Sequence, residues 1–506
     1  MRIGIPKLLG RRVRLTHLAR RAGSGRGLAL LAVAWVAASG LLRLALTDNL
    51  QPDDAELVIS AQELRGGYSD QPPLYTWMLW AVFRVTGPGL VGLGVVRAAL
   101  LLALFGLTYR TAKLLVPDRR LAAPLAFSSL LLPAYGWHVA TYLTHSLLLG
   151  VAVMGTVYAA ARVVRFGATR DYALLGVAVG VGALAKYNFP LVVAAAAGAG
   201  LAVPAARVRL LDRRVLLAAG VALALLAPHL VWLAGAWEDV FRLVRNKSNR
   251  AESPPYWEGV VQGLWAAVVC LAGCVVIVGP LLAWLGRQAR PVTPERPEVA
   301  WLGWFLAGLA LLHIALVFGF GVTRFQDRWV QPLLLPLPVW YLARFAPGAV
   351  GRWGVPVLAW ITAGLAAAVL AGQVAQVALV DRLPGRYDLQ LDYPRLAAEL
   401  DAAGFGNATF VAIDREIIGN LLPHMPGVTM QYPAGVEPFR RPAGTVVLLW
   451  DAQLGENLPL KLMPAVESTV GEFQFRPARL RTLTLHSRNP NGRPVGVRAY
   501  ALPAKR

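Results

Sequence analysis

Long apolar runs, broken at short intervals by clusters of arginine and lysine, dominate the chain. A helix needs about 20 consecutive apolar residues to cross a hydrocarbon core roughly 30 Å thick. By that measure we place spans at 27–47, 88–109, 121–140, 143–162, 171–187, 189–206, 214–235, 259–286, 299–320, 329–346 and 353–378. These eleven spans take a chain that starts inside to an end outside. With that start, the inward loops hold Arg110, Lys113, Arg119 and Arg120, then Arg162, Arg165 and Arg170. Arg207, Arg209, Arg213 and Arg214 follow, then Arg287 and Arg290, and last Arg344 and Arg352. Every inward loop is basic, as the positive-inside rule requires, so orientation and count support each other.

Two stretches depart from this rhythm. The outward loop 48–87 begins polar, from Asp53 to Tyr68, and continues into the aromatic segment Pro72 to Trp80. That segment is too short to cross and reads as a helix lying in the interface, with Trp77 and Trp80 at headgroup depth. From about 380 onward the chain is rich in prolines and charges, and its apolar runs shorten to strand length, Ala408–Ile413 and Thr445–Trp450. A helical pattern over Tyr393–Ala403 precedes the first of them. This alternation predicts a small α/β domain. The expected organisation is therefore a basic cytoplasmic N-terminus (1–26), a polytopic α-helical transmembrane domain (27–379) and an extracytoplasmic α/β domain (380–506). Asp414 and Asp451, at the two strand ends, read as turn formers rather than ligands on a sheet edge. No internal repeat is visible, which speaks against an inverted-repeat transporter.

Composition agrees. Of 506 residues 56% are hydrophobic and 15% charged, against roughly 25% charged in an ordinary soluble domain, and the mean hydropathy is +0.52. The net charge of +22 sits in loops between spans, the placement of a membrane-surface protein and not of a nucleic-acid binder. Arg2, Lys7, Arg11, Arg12, Arg14, Arg20 and Arg21 precede the first apolar run as in a signal peptide. No small-x-small cleavage site follows, so the first span is read as uncleaved. Cys270 and Cys274 lack acidic or histidine neighbours and read as core residues, not metal ligands.

Candidate chemistry begins just past the first span, at Asp53-Asp54-Ala55-Glu56 behind Pro52. Acidic residues in a first helical turn can simply complement the helix dipole. Carboxylates gathered at a membrane face can also hold a cation or serve as general base for a hydroxyl or amine. Facing them are basic residues that the orientation rule does not explain: Arg242, Arg245, Lys247 and Arg250 in one outward loop, Arg324 and Arg328 beside Trp329 in another, and Lys186 at an outward span end. A shared phosphate ligand gives them a reason, because guanidinium forks match phosphate oxygens and stabilise a departing phosphate. Within the spans, Arg43 is expected to snorkel or pair with Asp48, and the deeper Arg97 needs a partner. His229 and His313 read as buried core histidines.

The acidic cluster, the stretch Gly66-Gly67-Tyr68-Ser69-Asp70-Gln71-Pro72-Pro73-Leu74 and the segment Gly182-Ala183-Leu184-Ala185-Lys186-Tyr187 together resemble GT-C membrane glycosyltransferases. The resemblance is to the branch of protein-mannosyltransferase-like and aminoarabinose-transferase-like enzymes and covers roughly residues 27–350. It implies transfer of a sugar from a polyprenyl-phosphate-linked donor to a glycan, lipid or protein acceptor, on the outer face of a bacterial inner membrane and with inversion. Asp53 or Asp54 would be the catalytic carboxylate, with Glu56 beside them. Asp54 is slightly favoured because it keeps the order Asp-Ala-Glu. Relatives often carry a second acid at the start of the fourth span. Here that place reads Leu143-Thr144-His145-Ser146, which makes His145 a candidate base or donor, or a histidine packed at a helix end. No cofactor is required; a divalent cation at Asp53, Asp54 and Glu56 is allowed. The rival readings are a transporter or flippase of an anionic substrate, and a non-catalytic membrane scaffold or sensor.

Overall fold

A computed structural model describes residues 25–68, 71–132, 135, 144–249, 254–287, 290–293, 295–379, 389–432, 444–470, 475–488 and 494–502. Arg250, Ser69, Asp70 and most of the second half of the predicted span 121–140 lie outside the described residues.

The apolar runs form helices α1 (Gly25–Leu46), α4 (Leu90–Leu115), α5 (His145–Arg165), α6 (Thr169–Ala183), α7 (Pro190–Ala202), α8 (Val215–Ser248), α9 (Tyr256–Gly286), α10 (Pro297–Phe320) and α13 (Gly351–Ala378). Shorter helices lie between them: α2 (Pro52–Ser60) and α3 (Leu74–Thr86) after α1, then α11 (Asp327–Val330) and α12 (Leu337–Ala343) after α10. Among the described residues six helices are long and apolar enough to cross a membrane. A seventh joins them if Pro190–Ala202 and Pro204–Leu210, bent by 119°, count as one span. Each predicted span except 121–140, 189–206 and 329–346 coincides with one continuous helix, and 189–206 bends at Val203 between Pro190–Ala202 and Pro204–Leu210. Span 329–346 breaks into α11, a 3₁₀ turn (Gln331–Leu334) and α12. Pro332, Pro336 and Pro338 remove backbone donors at close intervals, so a single helix cannot run through.

Neighbouring helices pack through small residues. Gly176 of α6 meets the backbone of α8 at Ala218 closer than a side chain would permit, and Gly180 packs tightly on Leu225 and Ala222 of the same helix. A Gly-x-x-x-Gly face of this kind lets two membrane helices approach and gain dispersion contacts that lipid cannot supply. At the end of the bundle predicted to face inward, the basic loops find acids: Arg120 with Asp118 at 2.7 Å, Arg162 with Asp171 at 2.7 Å and Arg214 with Asp212 at 2.6 Å. The expected pairing of Arg43 with Asp48 is not made. Arg43 donates to the Asn49 carbonyl at 2.8 Å, because the chain folds back over the end of α1, and Asp48 turns outward to Arg488 at 2.7 Å.

The C-terminal region carries α14 (Tyr393–Leu400), α15 (Arg415–Leu421) and a five-stranded sheet. Its strands are β1 (Thr409–Ala412), β2 (Thr429–Gln431), β3 (Val446–Asp451), β4 (Arg481–Leu485) and β5 (Val495–Ala501), in the order β2-β1-β3-β5-β4. β1 lies parallel to β2 and β3, and β5 runs antiparallel to β3 and β4. β1 and β3 are buried over almost their whole length, which is why they read as unbroken apolar runs. Asp414 caps α15 through the Glu416 N–H, and Asp451 caps a 3₁₀ turn through the Gln453 N–H, so both act as turn formers.

Candidate active site

α2 starts with Pro52, whose missing N–H costs nothing in a first turn, and carries Asp53 and Asp54 where the helix dipole favours acids. Helical periodicity then divides the cluster. Asp53, Glu56, Leu57 and Ser60 recur at the spacing of one face and line a cavity of about 470 Å³. Asp54 points the other way and is fully buried. There its Oδ1 accepts from Arg97 Nη2 at 2.9 Å, which supplies the partner that the intramembrane arginine requires. Burial pushes the Asp54 carboxyl above its ordinary range, against the pull of Arg97.

The rest of the cavity wall comes mostly from the same end of the bundle: the first loop with the start of α3, the start of α5, the turn after α6, the end of α8, and α11 with the segment before it. That is the set of helix ends that an alternating eleven-span path puts on one face. Lys186, just past α6, donates from Nζ to the Ser146 hydroxyl at 2.7 Å and to the Arg328 carbonyl at 3.4 Å. Asn188 ties the same turn to the Trp329 carbonyl at 3.0 Å. Across the cavity, the backbone N–H groups of Thr323 and Arg324 both reach the Ser248 carbonyl, at 3.3 and 3.0 Å, and so fix the end of α8 beside Lys247. Arg328 Nη1 meets Asp53 Oδ2 at 2.5 Å. His145, the first residue of α5, lies in the wall with its ring 5.2 Å from that of Tyr75. The glycine pair of the first loop has a steric cause: side chains at Gly66 or Gly67 would overlap Trp232 of α8. His229, one turn before Trp232, hydrogen-bonds the Gly66 carbonyl at 2.7 Å.

Of the residues singled out from sequence, the cavity gathers Asp53, Glu56, His145, Lys186, Lys247, Arg324 and Arg328. Arg242 and Arg245 are exposed and stand outside it, Arg242 paired with Asp239 at 3.1 Å. Asp53, Asp54 and Glu56 do not converge on one point: Asp54 turns away to Arg97, while Asp53 and Glu56 face Arg415 and Asp53 also meets Arg328. Among the described residues no three His, Cys, Asp or Glu side chains come together as a metal site. One wall residue had no signal in the sequence. Arg415, at the start of α15, forms an ion pair with Glu56 across 359 residues of chain, and no local pattern links positions so far apart.

A bundle of membrane-spanning helices with an acid opposite cationic side chains in a cavity at one end defines a membrane enzyme that handles an anionic substrate at the bilayer face. Residues 70–232 match the family described as dolichyl-phosphate-mannose-protein mannosyltransferase. Two lipopolysaccharide core galacturonosyltransferases of Rhizobium johnstonii are similar over most of their length. RgtB is 31% identical over 464 residues, covering 88% of this chain and 91% of RgtB. RgtA is 32% identical over 465 residues, covering 86% and 88%. The fold is similar to that of ArnT from Cupriavidus metallidurans, solved bound to undecaprenyl phosphate: TM-score 0.59, 13% identity, 94% of this chain and 98% of ArnT. The chain belongs to the GT-C membrane glycosyltransferases, in the family of these core galacturonosyltransferases. It is a multi-pass integral membrane protein and a glycosyltransferase, and the transporter and scaffold readings fall.

Proposed function

We propose that this enzyme transfers a uronic acid, galacturonic acid in the first instance, from a polyprenyl phosphate to the core of a lipopolysaccharide at the outer face of the inner membrane. The observation that carries the reading is the charge of the cavity. Among the described residues of its wall, the cations Lys186, Lys247, Arg324, Arg328 and Arg415 outnumber the acids Asp53 and Glu56. A sugar phosphodiester brings a single negative charge, and the departing phosphate monoester approaches two. A surplus of cations remains, and a carboxylate on the sugar uses it. The galacturonosyl activity of RgtA and RgtB supports the same choice.

In this mechanism Lys186 and Arg328 hold the donor phosphate. Asp53, beside Arg328, takes the proton of the acceptor hydroxyl. The oxygen then attacks the anomeric carbon from the side opposite the phosphate, forming the new glycosidic bond as the bond to the phosphate oxygen breaks. Configuration inverts, and the leaving group carries its charge into the cationic pocket. The N-terminus faces the cytoplasm and the sheet domain faces outward, so the cavity opens where lipopolysaccharide is finished. No cation is needed, since arginines already occupy the carboxylates.

The test uses purified protein in nanodiscs with undecaprenyl-phosphate galacturonic acid and lipopolysaccharide core. The expected result is release of undecaprenyl phosphate in step with core labelling, unchanged by EDTA. Donors bearing a neutral hexose should react at least about tenfold more slowly, the scale of one charge-assisted hydrogen bond. Equal rates with neutral and uronic donors would sink the proposal.

A further inference from the structure

The sheet domain grips the helix that carries Asp53. α15 lies against α2 so closely that a side chain at Gly419 would run into Ala55. The Asn420 side chain clasps both backbone groups of Leu50, at 2.6 and 3.1 Å. Past the other end of α2, Gln62 exchanges paired hydrogen bonds with the backbone of Met430, at 2.9 and 3.1 Å. Between these two anchors Arg415 pairs with Glu56 and brings Nη2 to 3.9 Å from Asp53 Oδ1.

Two arginines thus face Asp53, and they differ in what else holds them. The Arg328 guanidinium is held besides by the neutral Gln326 side chain, at 2.8 Å. A phosphate entering the cavity offers Arg328 a better-matched anion than it has now. Arg415 is tied to Glu56, on the same face of α2 as Asp53, and sits on a helix bolted to α2. It stays where it is when an anion arrives. We propose that Arg415 is a positioning residue for the reaction: it keeps Asp53 directed into the cavity while the donor phosphate draws Arg328 away. The charged groups around Asp53 are Glu56 and Asp54 on α2, Arg328 from α11 and Arg415 from α15, with His145, Lys186, Lys247 and Arg324 elsewhere in the cavity wall. The inference rests on Asp53 being the base of the proposed transfer.

The test is the split between kcat and KM in the full-length protein with undecaprenyl-phosphate galacturonic acid and lipopolysaccharide core. Arg415→Gln should lower kcat by about tenfold to a hundredfold, the cost of a misplaced reacting group, while the KM for the donor stays within about twofold. Arg415→Lys should restore most of the kcat. Glu56→Gln, which removes the carboxylate that ties Arg415 to α2, should lower kcat in the same way with the donor KM kept. Should Arg415→Gln fail to fold, Glu56→Gln decides alone, because it keeps Arg415 and the docked α15. Wild-type kcat in these variants, or a loss that falls on KM, overturns the inference. Asp53→Asn at wild-type turnover overturns instead the role of Asp53 as base.

Discussion

Asp53 and Asp54 share a peptide bond and little else. A helix turns about 100° per residue, so one carboxylate faces the cavity while its neighbour faces the bundle interior. Their substitutions should separate cleanly. Asp53→Asn keeps size and packing, and should cut turnover by about 10² to 10⁴, the usual contribution of a general base, with thermal unfolding in detergent close to wild type. Asp54→Ala strands the buried Arg97 guanidinium, a loss of about 3–5 kcal/mol, seen as a lowered unfolding midpoint. A wild-type midpoint for Asp54→Ala would refute the structural role given to that pair. The periodicity that divides the two was present in the sequence: Asp53, Glu56, Leu57 and Ser60 follow the spacing of one helical face. The order Asp-Ala-Glu favoured Asp54, because family patterns align residue types and do not report which way a side chain turns.

At the scale of elements, α2 is short, and its position is set by what it docks on. Replacing Gly419 by Leu should push α15 off α2, destabilising by about 1–3 kcal/mol as overpacked sites do, and lowering activity more than donor binding. Wild-type turnover in Gly419→Leu would show that the contact does not position α2. The membrane helices were largely legible from hydropathy, since a span must be apolar along its whole length and its flanks must be basic on one side. The strands at Thr409–Ala412 and Val446–Asp451 were legible for a related reason, burial on both faces. What hydropathy could not convey was pairing across distance. Arg97 needed a partner, and its identity depended on a loop fold. Arg415 lay in a domain that local patterns treat as separate. The broken span around Pro332 to Pro338 is a third case: the run is apolar enough to be counted as a crossing, yet its prolines forbid one continuous helix.

At the scale of the whole molecule, the junction between sheet domain and bundle is sensitive to acid. Arg488 holds Asp48 at 2.7 and 3.0 Å, and although burial opposes it, this pairing keeps the Asp48 carboxyl below its ordinary value of 3.8. The stability this contributes is present above pH 3.8 and is lost as pH falls further, outside most working conditions. His424 acts nearer neutrality. Burial lowers its pKa from 6.5, so the folded chain keeps the ring neutral where the unfolded chain would already charge it. Its contribution is complete above about pH 6.5 and declines below it. Unfolding midpoints should accordingly fall as pH drops below 6.5, and His424→Gln should flatten that decline. An equal slope in the variant would assign the acid sensitivity to another group.

The clasp between Leu50 and Asn420 spans 370 residues, and that between Gln62 and Met430 spans 368. During synthesis α2 leaves the ribosome early and its anchors leave near the end. Contacts so distant along the chain form late and slowly. The bundle can therefore be inserted, and even bind lipid phosphate, while its base still lacks a fixed place. A ribosome that stalls before residue 415, or a protease that trims the sheet domain, leaves a membrane protein with an unfinished active site.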